Sequence, residues 1–203
     1  MSWTSPRTWA TSEVVTSSMM NTHVRDNLLE TAPGKASAAG QTPWSTAANA
    51  ISMVTAAKYK SGDETVNNST TLQNDDHLSF AIAASEVWAF DMFLYFTIAS
   101  LDPGMKYLFT LPASCTGTWG AIADLTNNIE GSSATTPTMF WAVVATTLAF
   151  APAGKTSSLH RVSGVFINST NAGTVQFQWA QNSATASNLT LKAGSWMRLT
   201  RLA

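Results

Sequence analysis

The twelve residues Val87–Ile98, "VWAFDMFLYFTI", constrain the fold of this chain more than any other segment. Alternation places Trp88, Phe90, Met92, Leu94, Phe96 and Ile98 on one face. Val87, Ala89, Phe93 and Tyr95 share the other face, where Asp91 is the only charge. A strand that is apolar on both faces is central and covered on both sides, by a second sheet or by a neighbouring subunit.

The same period of two recurs along most of the chain after residue 51. Further strands are predicted at 78–82, 105–111, 118–123, 139–150, 161–168, 174–180, 188–192 and 196–202. Turn signals fall between them: "LDPG" at 101–104, "EGSS" at 130–133, "APAG" at 151–154, "NAG" at 171–173 and "KAG" at 192–194. Many short strands with such regular punctuation predict a mostly β fold, a jelly-roll-like β-sandwich head.

The first thirty residues break this pattern. Residues 3–15 carry Pro6 and the β-branched pair Val14 and Val15, and they read as an extended arm. Thr16, Ser17 or Ser18 can then cap a helix through a side-chain oxygen. Met20, Val24 and Leu28 recur every four residues and form one apolar stripe, with Arg25, Asp26 and Glu30 off it. Pro33 and Gly34 end the helix, and the following Ala/Gly/Ser/Pro stretch reads as a linker. The predicted organisation is an arm plus anchor helix over 1–30, a linker over 31–50 and a β head over 51–203.

Composition narrows the function classes. Hydrophobic residues make up 45% of the 203, enough for a sizeable core, while charged residues are only 11%. A net charge of −1 offers neither a nucleic-acid footprint nor a polybasic lipid patch. Neither partner is expected. The longest apolar run, 139–153, is too short and too threonine-broken for a membrane span. The N-terminal sequence lacks a basic region followed by an apolar stretch, so synthesis in a cytoplasm without a secretion signal is expected.

Candidate chemistry is sparse. Asp75, Asp76 and His77 are adjacent, and neighbouring strand residues point to opposite faces, so an Asx-type turn is the expected reading. Asp63 and Glu64 follow Gly62 in a turn, where solvated charge is the ordinary expectation. His23, His77 and His160 are scattered without metal-ligand spacing, and Cys115 is the single cysteine. No nucleophile elbow, zinc-helix, phosphate-loop or dinucleotide motif occurs. No enzymatic activity, cofactor or metal is expected.

Aromatic density is the stronger signal, with eight tryptophans. Trp88 and Trp141 sit in apolar runs and are expected in the core. Trp119, flanked by small residues, is the candidate for stacking on a sugar ring, weighed against a buried edge. In the last strands Val175, Phe177 and Trp179 share a face, and Trp196 shares one with Arg198, Thr200 and Leu202. Phe93, Tyr95, Phe177, Trp179 and Trp196 are the candidate subunit-interface residues, because a two-sheet domain has only one inner layer to fill.

Two blocks resemble a known family. Trp9, then Glu13 to Thr16, Met20-Asn21 and above all "HVRDNLLE" at 23–30 resemble an N-terminal module of tailed-phage and prophage virion proteins, particularly those of actinobacterial phages. Ser12 and Met20 depart from the Gly and Leu common there. The C-terminal Gln178 to Gln181 and Lys192 to Trp196 are similar to the ends of such proteins.

The resemblance implies a non-enzymatic structural component of a virion, a minor tail or fibre-like protein, with no catalytic residues carried over. Trp9, Met20, Val24 and Leu28 then form the virion anchor, docking in a groove on another virion protein. The head is expected to be a homotrimer, by analogy with phage spikes and with tumour-necrosis-factor and complement-type heads. A host cell-surface glycan is a further candidate partner. Alternatives are a capsid decoration protein or head fibre, a carbohydrate-binding module, and a glycan depolymerase, for which the chain supplies few acids.

Overall fold

The computed structural model describes residues 4, 7–29, 31, 35–37, 41–47, 50–55, 57–99, 103–123, 138–143, 145–150 and 156–203. The predicted helix breakers Pro33 and Gly34 and the predicted turns at 130–133 and 151–154 lie outside those residues. The chain divides into two compact units, Met1–Ala56 and Ala57–Ala203.

The first unit carries the helix. α1 (Ser17–Met20) opens at Thr16, whose extended backbone lets its Oγ1 accept the Met19 N–H at 3.2 Å. A π-helical stretch follows at Asn21–Arg25, and α2 (Asp26–Leu29) completes the helix. The unit continues into an antiparallel hairpin of β1 (Gln41–Ala47) and β2 (Ala50–Thr55), with a register shift between Ser45 and Ala47. Paired strand therefore occupies residues expected to be linker, and the boundary between units falls after Ala56 rather than near residue 50. Thr42, Trp44, Ile51, Val54 and Thr55 supply enough β-branched and aromatic side chain to pair where Ala and Ser suggested slack.

The second unit is a sandwich of two antiparallel sheets. Its strands are β3 (Ala57–Tyr59), β4 (Glu64–Asn67), β5 (Gln73–Ile82), β6 (Val87–Ile98), β7 (Met105–Thr110) and β8 (Thr116–Ala123). They continue with β9 (Thr138–Val143), β10 (Leu148–Phe150), β11 (Ser157–Ile167), β12 (Gly173–Gln181), β13 (Asn188–Leu191) and β14 (Trp196–Arg201). The smaller sheet runs β10-β7-β12-β5. The larger runs β3-β14-β6-β11-β8-β9, with β13 beside β6 and β4 beside β13.

Early strands pair with late ones in nested order: β3 with β14, β5 with β12, β6 with β11 and β7 with β10. An antiparallel ribbon rolled in this way is jelly-roll connectivity, interrupted between β7 and β10 by the hairpin β8–β9. One predicted strand, 139–150, is in fact two. Ala145 takes a left-handed conformation (φ 63°), and β9 and β10 then join different sheets.

The inner layer is aromatic. Phe90 and Phe96 of the larger sheet meet Phe109 and Trp179 of the smaller at ring distances of 5.1 and 5.8 Å. Phe80 reaches Trp88 at 5.5 Å and Phe109 reaches Phe166 at 5.1 Å. Edge-on and tilted contacts of this kind suit the ring quadrupoles and fill volume with few rotatable bonds. The inner face of β6 is buried from Trp88 to Ile98 in strict alternation, as its sequence predicts.

Candidate functional site

The outer face of the larger sheet is the most distinctive surface of the second unit. One row across it runs Tyr59, Trp196, Phe93, Arg161, Ile122, each opposite the next on the neighbouring strand. Phe93 and Trp196 stack with centroids 6.2 Å apart and planes 14° from parallel. The next row runs Arg198, Asp91, Ser163, Gly120, Trp141. Half-buried Tyr95 lies opposite exposed Leu159, and Val143 and Ile167 add further exposed apolar side chains.

Charge is fixed at the centre of this face. Arg161 donates from Nε and Nη2 to the two Asp91 carboxylate oxygens, both at 3.0 Å, and Arg198 Nη2 lies 3.6 Å from Oδ2. The hydrogen bonds and charge of Asp91 hold the Arg161 guanidinium above its already high range. Two arginines share one carboxylate, so the centre keeps net positive charge. Aromatic rings beside a fixed arginine fork are the side-chain types that dominate binding interfaces.

The structure divides the predicted interface residues. Phe93, Tyr95 and Trp196 stand on this outer face. Phe177 and Trp179 do not: both are fully buried between the sheets, because β12 is an inner strand of the smaller sheet and turns Val175, Phe177 and Trp179 inward. Of the two middle tryptophans only Trp141, expected in the core, departs from expectation; Trp119 takes the buried alternative rather than the sugar-stacking one. Trp119 is 2% exposed and packs on Phe109 and Tyr107, so no ring face is left for a sugar. Trp141 is 80% exposed. Gly164, opposite Trp119 on β11, makes the burial feasible: a Cβ there would sit 2.6 Å from the Trp119 Cβ.

In the first unit Trp9, Met20, Val24 and Leu28 are all exposed, as are Val14, Val15 and Leu29. The apolar stripe is therefore uncovered. Trp9 meets His23 edge-on at 6.5 Å, and the Arg7 guanidinium lies 5.3 Å from the Trp9 ring centroid. Arg7 also pairs with Glu13, whose other oxygen accepts the Ala10 N–H at 3.0 Å. The residue that sequence reasoning missed is Asn27. It is buried, its Oδ1 accepts the Thr4 N–H at 2.9 Å, and its Nδ2 donates to the carbonyls of Thr4 and His23, each at 3.1 Å. One asparagine thus ties Thr4 to the helix, and the arm between them, expected to be extended, turns at Thr11 and Ser12, where Ser12 is left-handed (φ 65°).

The titratable candidates gather differently from expectation. Asp63 stays at the surface, pairing with Lys192 and accepting the Ala193 N–H at 2.8 Å. The Lys192 hydrogen bond and then the Ala193 N–H hold its carboxyl below the usual range. Glu64, expected in solvent, instead turns toward Lys60, whose side chain is fully buried. Lys60 Nζ lies 2.7 Å from Glu64 Oε2 and 2.8 Å from Asp75 Oδ2. Burial pulls the Lys60 ammonium down, but the two carboxylates outweigh it and hold its pKa above the usual value. Burial, with the nearby Asp75 charge, raises the Glu64 carboxyl.

Asp75 makes an Asx-type turn: its Oδ1 accepts the N–H groups of His77 and Leu78 at 2.9 and 2.8 Å. Those amides are free because β5 bulges there, with Asn74 opposite Gln178 and Ser79 opposite Gln176. Asp76 and His77 are not part of the buried pair, and His77 Nε2 meets Ser61 Oγ at 3.0 Å.

His160 is buried between Tyr107 and Ser158, at 3.0 and 2.9 Å, well inside the sandwich. Burial also pushes the Tyr107 hydroxyl well up and the Cys115 thiol up. Among the described residues no group of three or more His, Cys, Asp or Glu is placed to hold a metal ion, and no helix is long and apolar enough to cross a membrane. Neither a protein-family model nor a curated protein matches the chain.

Proposed function

We propose that this chain is a non-enzymatic structural protein of a phage particle, with an N-terminal arm and helix that dock on another virion protein and a β head displayed from the particle. The observation that carries this reading is the uncovered stripe of Met20, Val24 and Leu28, 41–63% exposed on a helix that is nevertheless capped and clamped. A helix braced in this way keeps its apolar face presented, which suits insertion into a groove on a partner. The resemblance of "VRDNL" to phage anchor modules agrees with that use.

The head associates as a homotrimer in this reading. Its support is the apolar outer face of the larger sheet, where Phe93, Tyr95, Trp196 and Leu159 lie beside the Arg161–Asp91–Arg198 centre. Cyclic closure would bury three such faces without leaving one open. Val24→Asp with Leu28→Asp tests the anchor: particles from cells producing the double variant should lack the protein while its head stays folded. Normal copy number in purified particles would overturn the anchor. The same particles, imaged with the chain located, distinguish a tail position from a capsid decoration or head fibre.

A second reading is favoured by one observation, the exposure of Trp141 and Tyr59 on the same outer face. Exposed rings of this kind can stack on sugar, making the head a glycan-binding module on a host surface. Retention on host cell-wall polysaccharide that Trp141→Ser abolishes would support it. Equal retention of the variant would remove it.

A further inference from the structure

Lys60, Glu64 and Asp75 form a cluster that neither the anchor nor the head interface uses. The side chains of Lys60 and Asp75 are both fully buried, and Glu64 is largely so. Such an ion pair is costly to bury, and an amide between its partners would remove two charges from the interior. We propose that Lys60 and Asp75 are joined by an isopeptide bond that forms in the folded chain, with Glu64 as the proton shuttle. The inference is independent of the virion reading.

The geometry supplies a proton acceptor, a leaving oxygen beside the amine and two donors to the other oxygen. Glu64 Oε2, 2.7 Å from Nζ, takes a proton from the Lys60 ammonium and leaves a neutral amine. Glu64 hands that proton to Asp75 Oδ2, and the amine nitrogen attacks Cγ of the resulting neutral acid, forming a C–N bond. Negative charge then develops on Oδ1, which already accepts two backbone N–H groups, from His77 at 2.9 Å and Leu78 at 2.8 Å. Paired amides aimed at that oxygen are an oxyanion hole in miniature.

Oδ2 lies on the other side, 2.8 Å from Nζ, and is the leaving oxygen. Already carrying the first proton, it receives from Glu64 a second, taken from the attacking nitrogen. The C–Oδ2 bond breaks and one water departs. An ammonium and a carboxylate become an amide plus water, Glu64 returns to its starting form, and no oxidant or other reactant is needed.

Two features favour completion. The reaction runs once per molecule, so a slow step suffices, and fixed contact raises the effective concentration of the amine on the order of 10⁵ M or more. The raised carboxyl of Glu64 makes it a better proton acceptor than an ordinary glutamate beside the same lysine. Gln73 Nε2 holds its other oxygen at 2.8 Å, fixing the shuttle.

The bond would have a mechanical use. Lys60 directly follows β3, whose three residues pair with β14 in the larger sheet, while Asp75 belongs to β5 of the smaller sheet. Tension on residues before Ala57 would peel β3 first. A bridge at Lys60 passes the load into the other sheet.

The test is the intact mass of the purified full-length chain under denaturing conditions, followed by peptide mapping. The wild type should be lighter than its sequence by one water, resist tryptic cleavage after Lys60, and yield a branched peptide joining Lys60 to Asp75. Glu64→Gln, which keeps size and a hydrogen bond to Lys60, should fold and retain the full sequence mass. Folded wild type at its full mass would overturn the proposal. So would a missing water without the branched peptide, which would place a cyclised aspartate elsewhere. A fully bridged Glu64→Gln chain would overturn the role given to Glu64.

Discussion

Asn27 grips both polar groups of one residue: its side-chain amide pairs with the N–H and the carbonyl of Thr4, at 2.9 and 3.1 Å. The pairing imitates one rung of a strand ladder and leaves the helix stripe on Met20, Val24 and Leu28 uncovered. Asn27→Ala removes donor and acceptor together, so the N–H and the carbonyl of Thr4 both lose their partner. The expected cost is about 1 kcal/mol, because the freed arm can return to water. Amide exchange at Thr4 should then quicken by roughly fivefold while exchange at Met19, held by Thr16, stays the same. Unchanged exchange at Thr4 would show that the arm is held by other contacts.

Trp119 and Trp141 make a pair of substitutions with opposite expectations. Trp119→Ala empties a site lined by Phe109 and Tyr107 and should cost about 3–5 kcal/mol. Trp141→Ala removes an exposed ring and should stay within about 0.5 kcal/mol for the single chain. Denaturant midpoints of the two variants, compared under conditions where the chain is monomeric, decide the matter. Similar losses in both would mean that the face assignment of the β8–β9 hairpin is wrong.

That hairpin also shows where sequence pattern stops being informative. β6 was legible because twelve residues alternate without interruption, and one register error would turn every side chain over. Trp141 sits in a run apolar at nearly every position, so its pattern does not choose a face. The small residues flanking Trp119 leave a stacking ring and a buried edge both open in the sequence, and it is Gly164, opposite it on β11, that lets its ring enter the core. Phe177 and Trp179 were legible as one face of a strand, but only the order of strands in the sheet says that this face is the inner one.

The polar cluster was hidden for another reason. Lys60 and Glu64 stand either side of Ser61-Gly62-Asp63, a stretch with every local sign of a surface turn. Asp75 lies eleven residues beyond Glu64 by sequence, and only the β5 bulge turns its carboxylate inward. Asn27 was masked by the motif around it, since one buried amide in an amphipathic helix has no periodic signature.

Asp63 provides a pH test. Its folded carboxyl is held below the usual value by Lys192 and the Ala193 N–H. A group whose pKa is lower in the folded state contributes stability above its unfolded pKa, and that contribution is lost as pH falls through the folded value. The Lys192–Gly194 turn should therefore be tightest above about pH 4 and loosen below it. The carboxyl-carbon shift of Asp63 and the exchange of the Ala193 amide should titrate together, and Asp63→Asn should flatten both. A midpoint at or above that of an ordinary aspartate would contradict the pairing.

The stacked pair Phe93 and Trp196 offers a test of the proposed trimer. Both rings lie on the outer face of the larger sheet, so removing them leaves the inner aromatic layer intact. Within one chain, Phe93→Ser with Trp196→Ser loses a ring contact worth about 0.5–1.5 kcal/mol, which a sandwich of this size should withstand. Across a subunit contact the same change removes two large apolar side chains, each worth about 1.5–3 kcal/mol when fully buried. Every 1.4 kcal/mol is about tenfold in affinity, so the association constant should fall at least a hundredfold. Light scattering at micromolar concentration should give three chains for the wild type and one for the double variant, with matching far-ultraviolet dichroism. Arg161→Ala should act in the same direction and more weakly, since it frees Asp91 to Arg198 without removing a ring. A wild-type chain that runs as a folded monomer at that concentration would remove the trimer and leave this face to a different partner.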